Sequence, residues 1–401
     1  MNPFPVVFSL LHRQRVTLIF FVVLITFAVA LGIAITTQER AVRQGSARAA
    51  DKFDLVVGAP GSPFDLVLAS VYARPTAMGL IEPADFARLL AEPEAELVAP
   101  IAFGDSVQGF PLMGTTAAFI EHLAGAPTEG RMFERPFEAL LGVNVPMGVG
   151  ERVYAAHDAI DAEEMLHEDS IVVVGRLPRT NSAWDNVVVV PVEQVWLSHH
   201  LPAGHAPVGE PADMAIGPPF DPAYLTGVPA VVVKPASVPA AYGLRNAWRT
   251  SSTQAIFPAE ILVQLYAVLG DARAIMSFLA LATQVLVVAA ILSGVMVILQ
   301  LFRVRFAVLR ALGASGLYVF LVAWSYVALL ITAGAVLGLG LGIGASWAVS
   351  SYLEMRSGIA MPVSLAWGDV QFVLLLIVAG AAMAVLPAIA VYRQPVVEAL
   401  R

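Results

Sequence analysis

The stretch Val16–Thr36, VTLIFFVVLITFAVALGIAIT, decides the fold, because none of its 21 residues is charged. About 20 apolar residues are enough for an α-helix to cross the hydrocarbon core of a bilayer. A cleaved signal peptide would have a shorter apolar core that ends at a small-residue site, and no clear site precedes Gln38. We therefore expect residues 16–36 to form an uncleaved transmembrane helix. Residues 1–15 are expected to form a short helix on the inner membrane surface.

Three more uncharged runs lie near the end of the chain, at residues 274–302, 311–353 and 370–392. The middle run is too long for one span and too short for two spans with a turn, so its first residues are assigned to a turn. The sequence thus predicts four transmembrane helices. The last three are expected at residues 273–302, 317–348 and 370–392, joined by a turn at 303–316 and a loop at 349–369 and followed by a tail at 393–401.

Basic residues indicate the orientation of these helices. Arg13 and Arg15 precede the first span, three arginines lie in the 303–316 turn, and Arg393 follows the fourth span. Because Lys and Arg concentrate in cytoplasmic loops, both termini and this turn are expected in the cytoplasm. Residues 37–272 are then extracytoplasmic.

Composition excludes several functions. Residues 37–272 contain 14 basic and 28 acidic side chains, which makes a nucleic acid an unsuitable partner. The chain has no cysteine, so disulfides and thiol nucleophiles are excluded. No Ser/His/Asp order or HExxH pattern occurs either, and we predict no catalytic residue.

Residues 37–272 are predicted to form an α+β domain, because short apolar runs alternate with Gly and Pro turns. Pro258 begins a helical pattern without a breaker before the second span, which predicts a stalk helix. Helices are expected at Val192–His200 and Val238–Trp248. The predicted strands are Asp54–Val57, Leu97–Phe103, Pro111–Gly114, Glu138–Leu141, Ile171–Gly175, Val187–Val190, Ala230–Val233 and Gln254–Phe257.

The turn between the second and third spans reads RVRFAVLRALGAS over residues 303–315. Apolar residues recur every four positions, which is typical of a short amphipathic helix, and Gly313 is a plausible helix stop. An ordinary positive loop would also fit this spacing. The residues through which the turn would contact a cytoplasmic partner are Arg303, Val304, Arg305, Val308, Leu309, Arg310, Leu312 and Gly313.

With its AVLRALGAS motif and the closing pattern from Pro387-Ala388 to Pro395–Arg401, the chain resembles the FtsX/MacB-like ABC transporter permeases. Weaker likenesses are Gly114-Thr115, Gly130–Phe133, Leu141-Gly142 and Val172–Gly175 in the outer domain. The resemblance implies that the 303–316 turn is the coupling helix of a homodimer with two ABC ATPase subunits. It also implies a multi-pass protein of the bacterial inner membrane with a MacB-like periplasmic domain.

ATP hydrolysis is expected on the separate ATPase subunit, with ATP and Mg²⁺ bound there. The only lysines here, Lys52 and Lys234, do not follow the spaced glycines of a phosphate-binding loop. The resemblance leaves two functions open besides export, extraction or hand-over of a substrate. One is FtsX-like signalling to a periplasmic adaptor, enzyme or binding protein, and the other is a part in zinc homeostasis.

Gly334, Gly338 and Gly342 repeat at four-residue spacing inside the third span. Small residues one turn apart allow helix backbones to approach closely in lipid. Glycine is also simply common in membrane helices. We expect these three residues to form a helix-packing face, within the chain or between subunits.

Five of the seven histidines fall in two groups outside the spans. His157 and His167 bracket an acidic run, while His199 and His205 lie farther along, near Pro202 and Gly204. Imidazole and carboxylate groups are ligands for zinc, although polar loops often carry such residues without a metal. The sequence therefore suggests zinc binding by His157, His167, His199 and His205 as a hypothesis.

Overall fold

A computed structural model describes residues 3–13, 15–157, 166–267 and 313–385, and positions 278, 281, 282, 285, 289, 308, 310, 388 and 389. The chain divides into two compact units. The first, here called the helical unit, comprises Met1–Ala41, Leu269–Ser350 and Pro362–Arg401. The second, the sheet unit, comprises Val42–Val268 and Ser351–Met361.

The long helices are α2 (Arg15–Ala50) and α9 (Gly316–Ser357), which belong to the helical unit up to Ala41 and Ser350, and α10 (Trp367–Met383). A short helix, α1 (Phe4–Arg13), precedes them. By length and composition, α2 and α9 are able to cross a membrane, whereas α10 is a shorter apolar helix. The predicted second span falls outside the described residues, except for positions 278, 281, 282, 285 and 289, which are helical.

The helices extend beyond the predicted spans. Helix α2 continues to Ala50, and α9 continues to Ser357, so the first nine residues of the predicted 349–369 loop are helical. The physical reason is that apolarity marks only the part of a helix that fits lipid. Residues 38–50 are polar but contain no proline, and such residues continue a helix. The irregular segment is therefore confined to residues 358–366, where Pro362 lies.

The uncharged parts of α2 and α9, residues 16–38 and 316–353, carry apolar residues around the helix circumference. On α2, Ile25, Val29 and Ile33 recur every four residues and are at most 3% exposed, in one cluster with Val322 and Leu330 of α9. The opposite side of α2 is also apolar, and Phe20 and Phe27 are 62% and 64% exposed there. Apolar residues on both faces are expected of a helix that packs on one side and faces lipid on the other.

The sheet unit is a mixed α and β structure, as the sequence predicts. Its described strands form one ten-stranded sheet in the order β10-β1-β9-β2-β3-β8-β5-β7-β4, and β6 pairs with both β2 and β7. The strands β2, β3, β8, β5, β7 and β6 thus form a closed circuit. Pairs β3/β8 and β5/β7 are parallel. The strands are β1 (Leu55–Gly58), β2 (Ala95–Val107), β3 (Phe110–Thr115), β4 (Glu129–Gly130), β5 (Glu138–Leu141), β6 (Arg152–His157), β7 (Leu166–Arg176), β8 (Val188–Pro191), β9 (Ala230–Pro235) and β10 (Gln254–Ile256).

Helices cover both faces of this sheet. They are α3 (Pro63–Ser70), α4 (Pro83–Leu90), α5 (Ala117–Leu123), α6 (Val192–Ser198), α7 (Val238–Ala247) and α8, which is described over residues 258–267. Trp184 is fully buried in one of the two cores, with its ring 5.4 Å from Phe119 and 6.3 Å from Phe53. Asp185 accepts hydrogen bonds from the backbone N–H groups of Thr180 and Asn181.

Candidate functional site

Of the predicted coupling turn at 303–316, residues 308, 310 and 313–316 are described. Residues 308 and 310 are helical, and Gly313 lies in a turn with φ of 97°, a conformation that glycine adopts without strain. The Gly313 N–H donates to the Arg310 carbonyl over 3.0 Å, and the Ser315 hydroxyl accepts from Tyr318 N–H at the start of α9. Val308 is 44% exposed. Arg303, Val304, Arg305, Leu309 and Leu312 lie outside the described residues, so the amphipathic face of this turn stays a prediction.

The glycines of α9 lie against α2. A Cβ atom on Gly334 would stand 2.6 Å from Ile25 Cβ, and one on Gly338 would stand 2.6 Å from Val29 Cβ. A Cβ atom on Gly342 would lie 2.8 Å from both Ile33 Cβ and the Ala30 carbonyl oxygen. Separations below about 3 Å leave no room for a methyl group, so the close contact of the helices depends on these glycines.

The same helix face carries hydrogen bonds beyond the glycines. Thr26 Oγ1 donates to the Gly334 carbonyl over 3.3 Å, and Ser346 Oγ donates to the Ala34 carbonyl over 3.3 Å. One turn later, Ser350 Oγ donates to Gln38 Oε1, also over 3.3 Å. Small residues therefore recur every four positions from Gly334 to Ser350, and α2 and α9 pack along five turns.

The C-terminal part of α2 is tied to the start of α10 by an ion pair that sequence reasoning missed. Arg40 Nη2 lies 2.9 Å from Asp369 Oδ1, and Arg40 Nη1 lies 3.1 Å from Asp369 Oδ2. The same Nη1 donates to the Ser364 carbonyl over 2.8 Å, and Asp369 Oδ2 accepts from Ala366 N–H over 2.9 Å. Asp369 is 4% exposed. The only signal in the sequence was that each charge closely flanks a predicted span.

The structure brings two of the four predicted zinc ligands to one acidic residue, because His157 lies opposite Asp105 in the β6/β2 ladder and His199 contacts the Asp105 carboxylate. His199 Nε2 lies 3.5 Å from Asp105 Oδ2, and His205 Nε2 lies 3.5 Å from Glu193 Oε1. Glu193 Oε1 also accepts from the Gly217 N–H. His157 ends β6, and His167 lies in β7, the strand that pairs with β6. Within the described part of the chain, no group of three or more His, Asp or Glu side chains is arranged to hold a metal ion.

Arg131, a residue of the Gly130–Phe133 motif, forms an ion pair with Glu138 in the sheet unit. Arg131 Nη1 is 2.8 Å from Glu138 Oε2, which also accepts from Glu134 N–H over 2.8 Å. Burial acts to raise the pKa of Glu138, but the hydrogen bonds and positive charge of Arg131 and the backbone N–H groups outweigh it, so this pKa is lowered. The pair fixes the turn that leads from β4 to β5.

No family model matches the chain, and no curated protein matches it. Among solved structures, it is similar to the periplasmic region of MacB from Actinobacillus actinomycetemcomitans. That match has 10% identity and a TM-score of 0.34, and it covers 54% of this chain and 94% of that one. The chain is also similar to the extracellular domain of the ABC-type transporter YknZ from Gram-positive bacteria, with 13% identity, a TM-score of 0.29 and coverage of 50% and 98%.

Proposed function

We propose that this chain is the membrane subunit of an ABC transporter complex, in which a separate ATPase chain supplies the energy. The proposed location in a membrane rests on one observation: α2 and α9 each have an exposed apolar face opposite the face that packs against the other helix. On α9, Val336, Leu337 and Trp347 are 56%, 57% and 66% exposed. Such a surface is stable in lipid and costly in water.

Energy is proposed to enter through the 303–316 turn rather than through the spans. No Asp, Glu, Lys or Arg occurs between Val16 and Gln38 of α2 or between Gly316 and Leu353 of α9. Ionisable residues inside spans mark proton and ion paths, and the described spans offer none. The AVLRALGAS resemblance supports the turn as the contact with the ATPase, and two such chains with two ATPase subunits complete the proposed assembly.

The packing of α2 on α9 supports a mechanical role. The glycine face and its hydrogen bonds hold the two helices together along five turns, and α2 is about 54 Å long at 1.5 Å per residue. A helix of that length is about 24 Å longer than the hydrocarbon core is thick. Movement applied to the helix pair at the inner side would therefore be carried beyond the membrane, to move the periplasmic domain during export, extraction or hand-over of a substrate.

Neither lysine suits ATP binding in this chain. Lys234 lies in strand β9 with its Nζ 2.5 Å from Glu96 Oε2, and Lys52 lies in the turn after α2. In a phosphate-binding loop the lysine lies between a glycine-rich loop and a helix N-terminus. The ATP and Mg²⁺ are accordingly assigned to the partner chain.

The test places a charge at Val308, one of the apolar residues that recur every four positions in the 303–316 turn. Val308→Asp would force a carboxylate into the ATPase groove, at a cost of a few kcal/mol for an unpaired buried charge. We expect the variant to insert normally but to lose its ATPase partner during purification, or to lose the ATP hydrolysis of the complex. Arg305→Ala removes a charge from the same turn without burying one and should have a smaller effect, because ion pairs that stay open to solvent contribute about 0–1 kcal/mol. Wild-type retention and hydrolysis in Val308→Asp would refute the coupling role.

A further inference from the structure

The sheet unit carries an open groove of about 1170 Å³. Its walls are the end of α2, the helix α7 and the helix α8, and it lies beside β1 and β10 at one end of the sheet. Sites for small molecules commonly have volumes of about 300–1,000 Å³, so this groove exceeds most of them. Nothing in the proposed ATPase coupling uses it.

Strand pairing and a ring contact define the two ends of the groove. In the antiparallel β1/β10 pair Val56 lies opposite Ile256, so Asp54 before β1 is at the same end as the start of α8. At the other end, the guanidinium carbon of Arg43 lies 5.6 Å from the centre of the Tyr266 ring. The helices α2 and α8 therefore run in opposite directions along the groove.

The helices present ridges into the groove at the spacing used in helix packing. On α8, Ala259, Val263 and Ala267 follow one another in steps of four residues, and all three are exposed. On α7, Val238 and Tyr242 are also four residues apart, and they are 72% and 53% exposed. Rows of side chains four residues apart interdigitate when two helices pack. The surface is therefore suited to a further helix.

The floor of the groove is apolar. Phe53 and Leu262 line it and are 2% and 5% exposed. Ala47 lies midway between Arg43 and Asp51 in the chain, and its side chain is exposed in the groove. Burying such a surface against a partner is favourable, because apolar groups are then removed from water.

The charges of the groove favour a basic occupant. Arg245 lies 2.9 Å from Glu260, so these two lining charges compensate each other. Asp51 and Asp54 are exposed, and neither carboxylate forms an ion pair or hydrogen bond within the described part of the chain. Acidic residues also outnumber basic ones across residues 37–272. Complementary charge speeds the encounter of two proteins and selects between partners.

We propose that this groove binds an amphipathic helix of a partner protein, with a basic residue placed against Asp51 and Asp54. Its apolar face would lie on Ala47, Val263 and Tyr242, as in other complexes in which a helix lies in a hydrophobic groove. A helix about 10 Å across occupies roughly 420 Å³ per turn, so the groove has room for about three turns. The proposal depends only on the sheet unit and holds whether or not the chain couples to an ATPase.

The experiment uses the full chain in nanodiscs of zwitterionic lipid and a fluorescent helical peptide of about 15 residues, with Leu and Ala on one face and Lys on the other. We expect saturable binding by fluorescence anisotropy, and no comparable binding to empty nanodiscs. Ala47→Trp places a large ring in the groove and should weaken binding about tenfold or more. Ala91→Trp is the matched control, because Ala91 is also exposed but lies outside the groove, and it should bind like the wild type.

A second pair of variants tests the charge of the partner. Asp51→Lys and Asp213→Lys change the net charge by the same amount at exposed positions, but only Asp51 lines the groove. Asp51→Lys should weaken the Lys-faced peptide about fivefold, near the upper limit for an exposed ion pair, and Asp213→Lys should not. A peptide with the same apolar face and Glu in place of Lys should bind Asp51→Lys more tightly than the wild type.

Three results would overturn the proposal. Equal binding to empty nanodiscs would show that the peptide binds lipid rather than the groove, as basic amphipathic helices can do. Equal effects within either pair of variants would place the binding elsewhere on the chain. No binding at up to about 1 mM would exclude a partner helix, and loss of self-association in Ala47→Trp would then identify a second copy of the chain as the occupant.

Discussion

The guanidinium of Arg40 and the carboxylate of Asp369 form a two-pronged ion pair between α2 and α10, with N–O distances of 2.9 and 3.1 Å. All four polar atoms involved lie just beyond the apolar parts of their helices. Arg40 follows the predicted first span by four residues, and Asp369 directly precedes the predicted fourth span. The pair therefore ties two helices that are far apart in sequence at the same edge of the apolar layer.

Breaking this pair on one side should be costly. Asp369→Asn leaves Arg40 with a neutral partner, and we expect the free energy of unfolding to fall by about 3 kcal/mol. This is the lower end for a buried pair, because the Arg40 side chain keeps 25% exposure. The measurement is denaturant unfolding of the full chain in detergent. The double variant Arg40→Met with Asp369→Leu should recover much of the loss. If its change in free energy of unfolding equals the sum for the two single variants, the two groups do not interact.

The Arg131–Glu138 pair predicts an acid-dependent loss of stability. The folded-state pKa of Glu138 lies below its usual value of 4.5, so the pair contributes stability above that value. The contribution is lost as the pH falls through the folded pKa. We expect the wild type to have a higher free energy of unfolding than Glu138→Gln at about pH 7. The two free energies of unfolding should converge in acid.

A neighbouring glutamate gives the control for this pH dependence. Glu134 lies 3.9 Å from Arg131, but its side chain is 72% exposed. Glu134→Gln should therefore change stability by less than about 1 kcal/mol at any pH. If the difference in free energy of unfolding between the wild type and Glu138→Gln stays constant down to strongly acidic pH, the lowered pKa of Glu138 is contradicted.

The orientation of the chain is testable because it contains no native cysteine. Ser315→Cys and Ala206→Cys place single thiols at exposed positions in the helical unit and the sheet unit. In intact cells, an impermeant thiol reagent should label Ala206→Cys and leave Ser315→Cys unlabelled until the membrane is permeabilised. The reverse pattern would place the 303–316 turn outside and remove the basis for coupling to a cytoplasmic ATPase.

Zinc binding stays a prediction, and the full chain in nanodiscs can test it with the metal alone. If the histidines form a site, calorimetry should show a dissociation constant of about 1 μM or less, or −8 kcal/mol or better. Changing His157, His167, His199 and His205 together to Ala should abolish the heat. If the wild type shows neither heat nor a thermal shift with zinc, these histidines do not bind the metal.

Local sequence patterns predicted most of the strands of the sheet unit, because alternating or continuous apolar residues can be recognised within a few residues of sequence. All eight predicted strands overlap observed ones, although β2 ends four residues after its predicted end and β7 begins five residues before its predicted start. Strand β6 was missed because RVYAAH has only one β-branched residue, and β4 because it has two residues in all. The element that a helix or strand packs against in the folded protein cannot be recognised from such local patterns. The spacing of Gly334, Gly338 and Gly342 indicated a packing face, but nothing local identified α2 as the helix it meets.

The glycine face gives the sharpest test of the helix packing, because α9 contains its own control. A Cβ atom on Gly338 would stand 2.6 Å from Val29 Cβ and 2.8 Å from the Thr26 carbonyl oxygen, whereas one on Gly340 would meet nothing within 4 Å. Gly338→Ala should therefore separate the helices and cost about 1–3 kcal/mol, as overpacking does. Gly340→Ala should be neutral or stabilise the chain by about 0.5–1 kcal/mol, because alanine is the better helix former.

Both variants add the same single methyl group to the same helix two residues apart, so intrinsic helix propensity cannot explain a difference between them. Denaturant unfolding in one detergent gives the comparison directly. Gly342→Ala should follow Gly338→Ala, since its Cβ atom would lie 2.8 Å from Ile33 Cβ, and Gly344→Ala should follow Gly340→Ala. If Gly338→Ala stabilises the chain as much as Gly340→Ala does, α2 does not pack on this face, and the proposed transmission of movement through the helix pair fails with it.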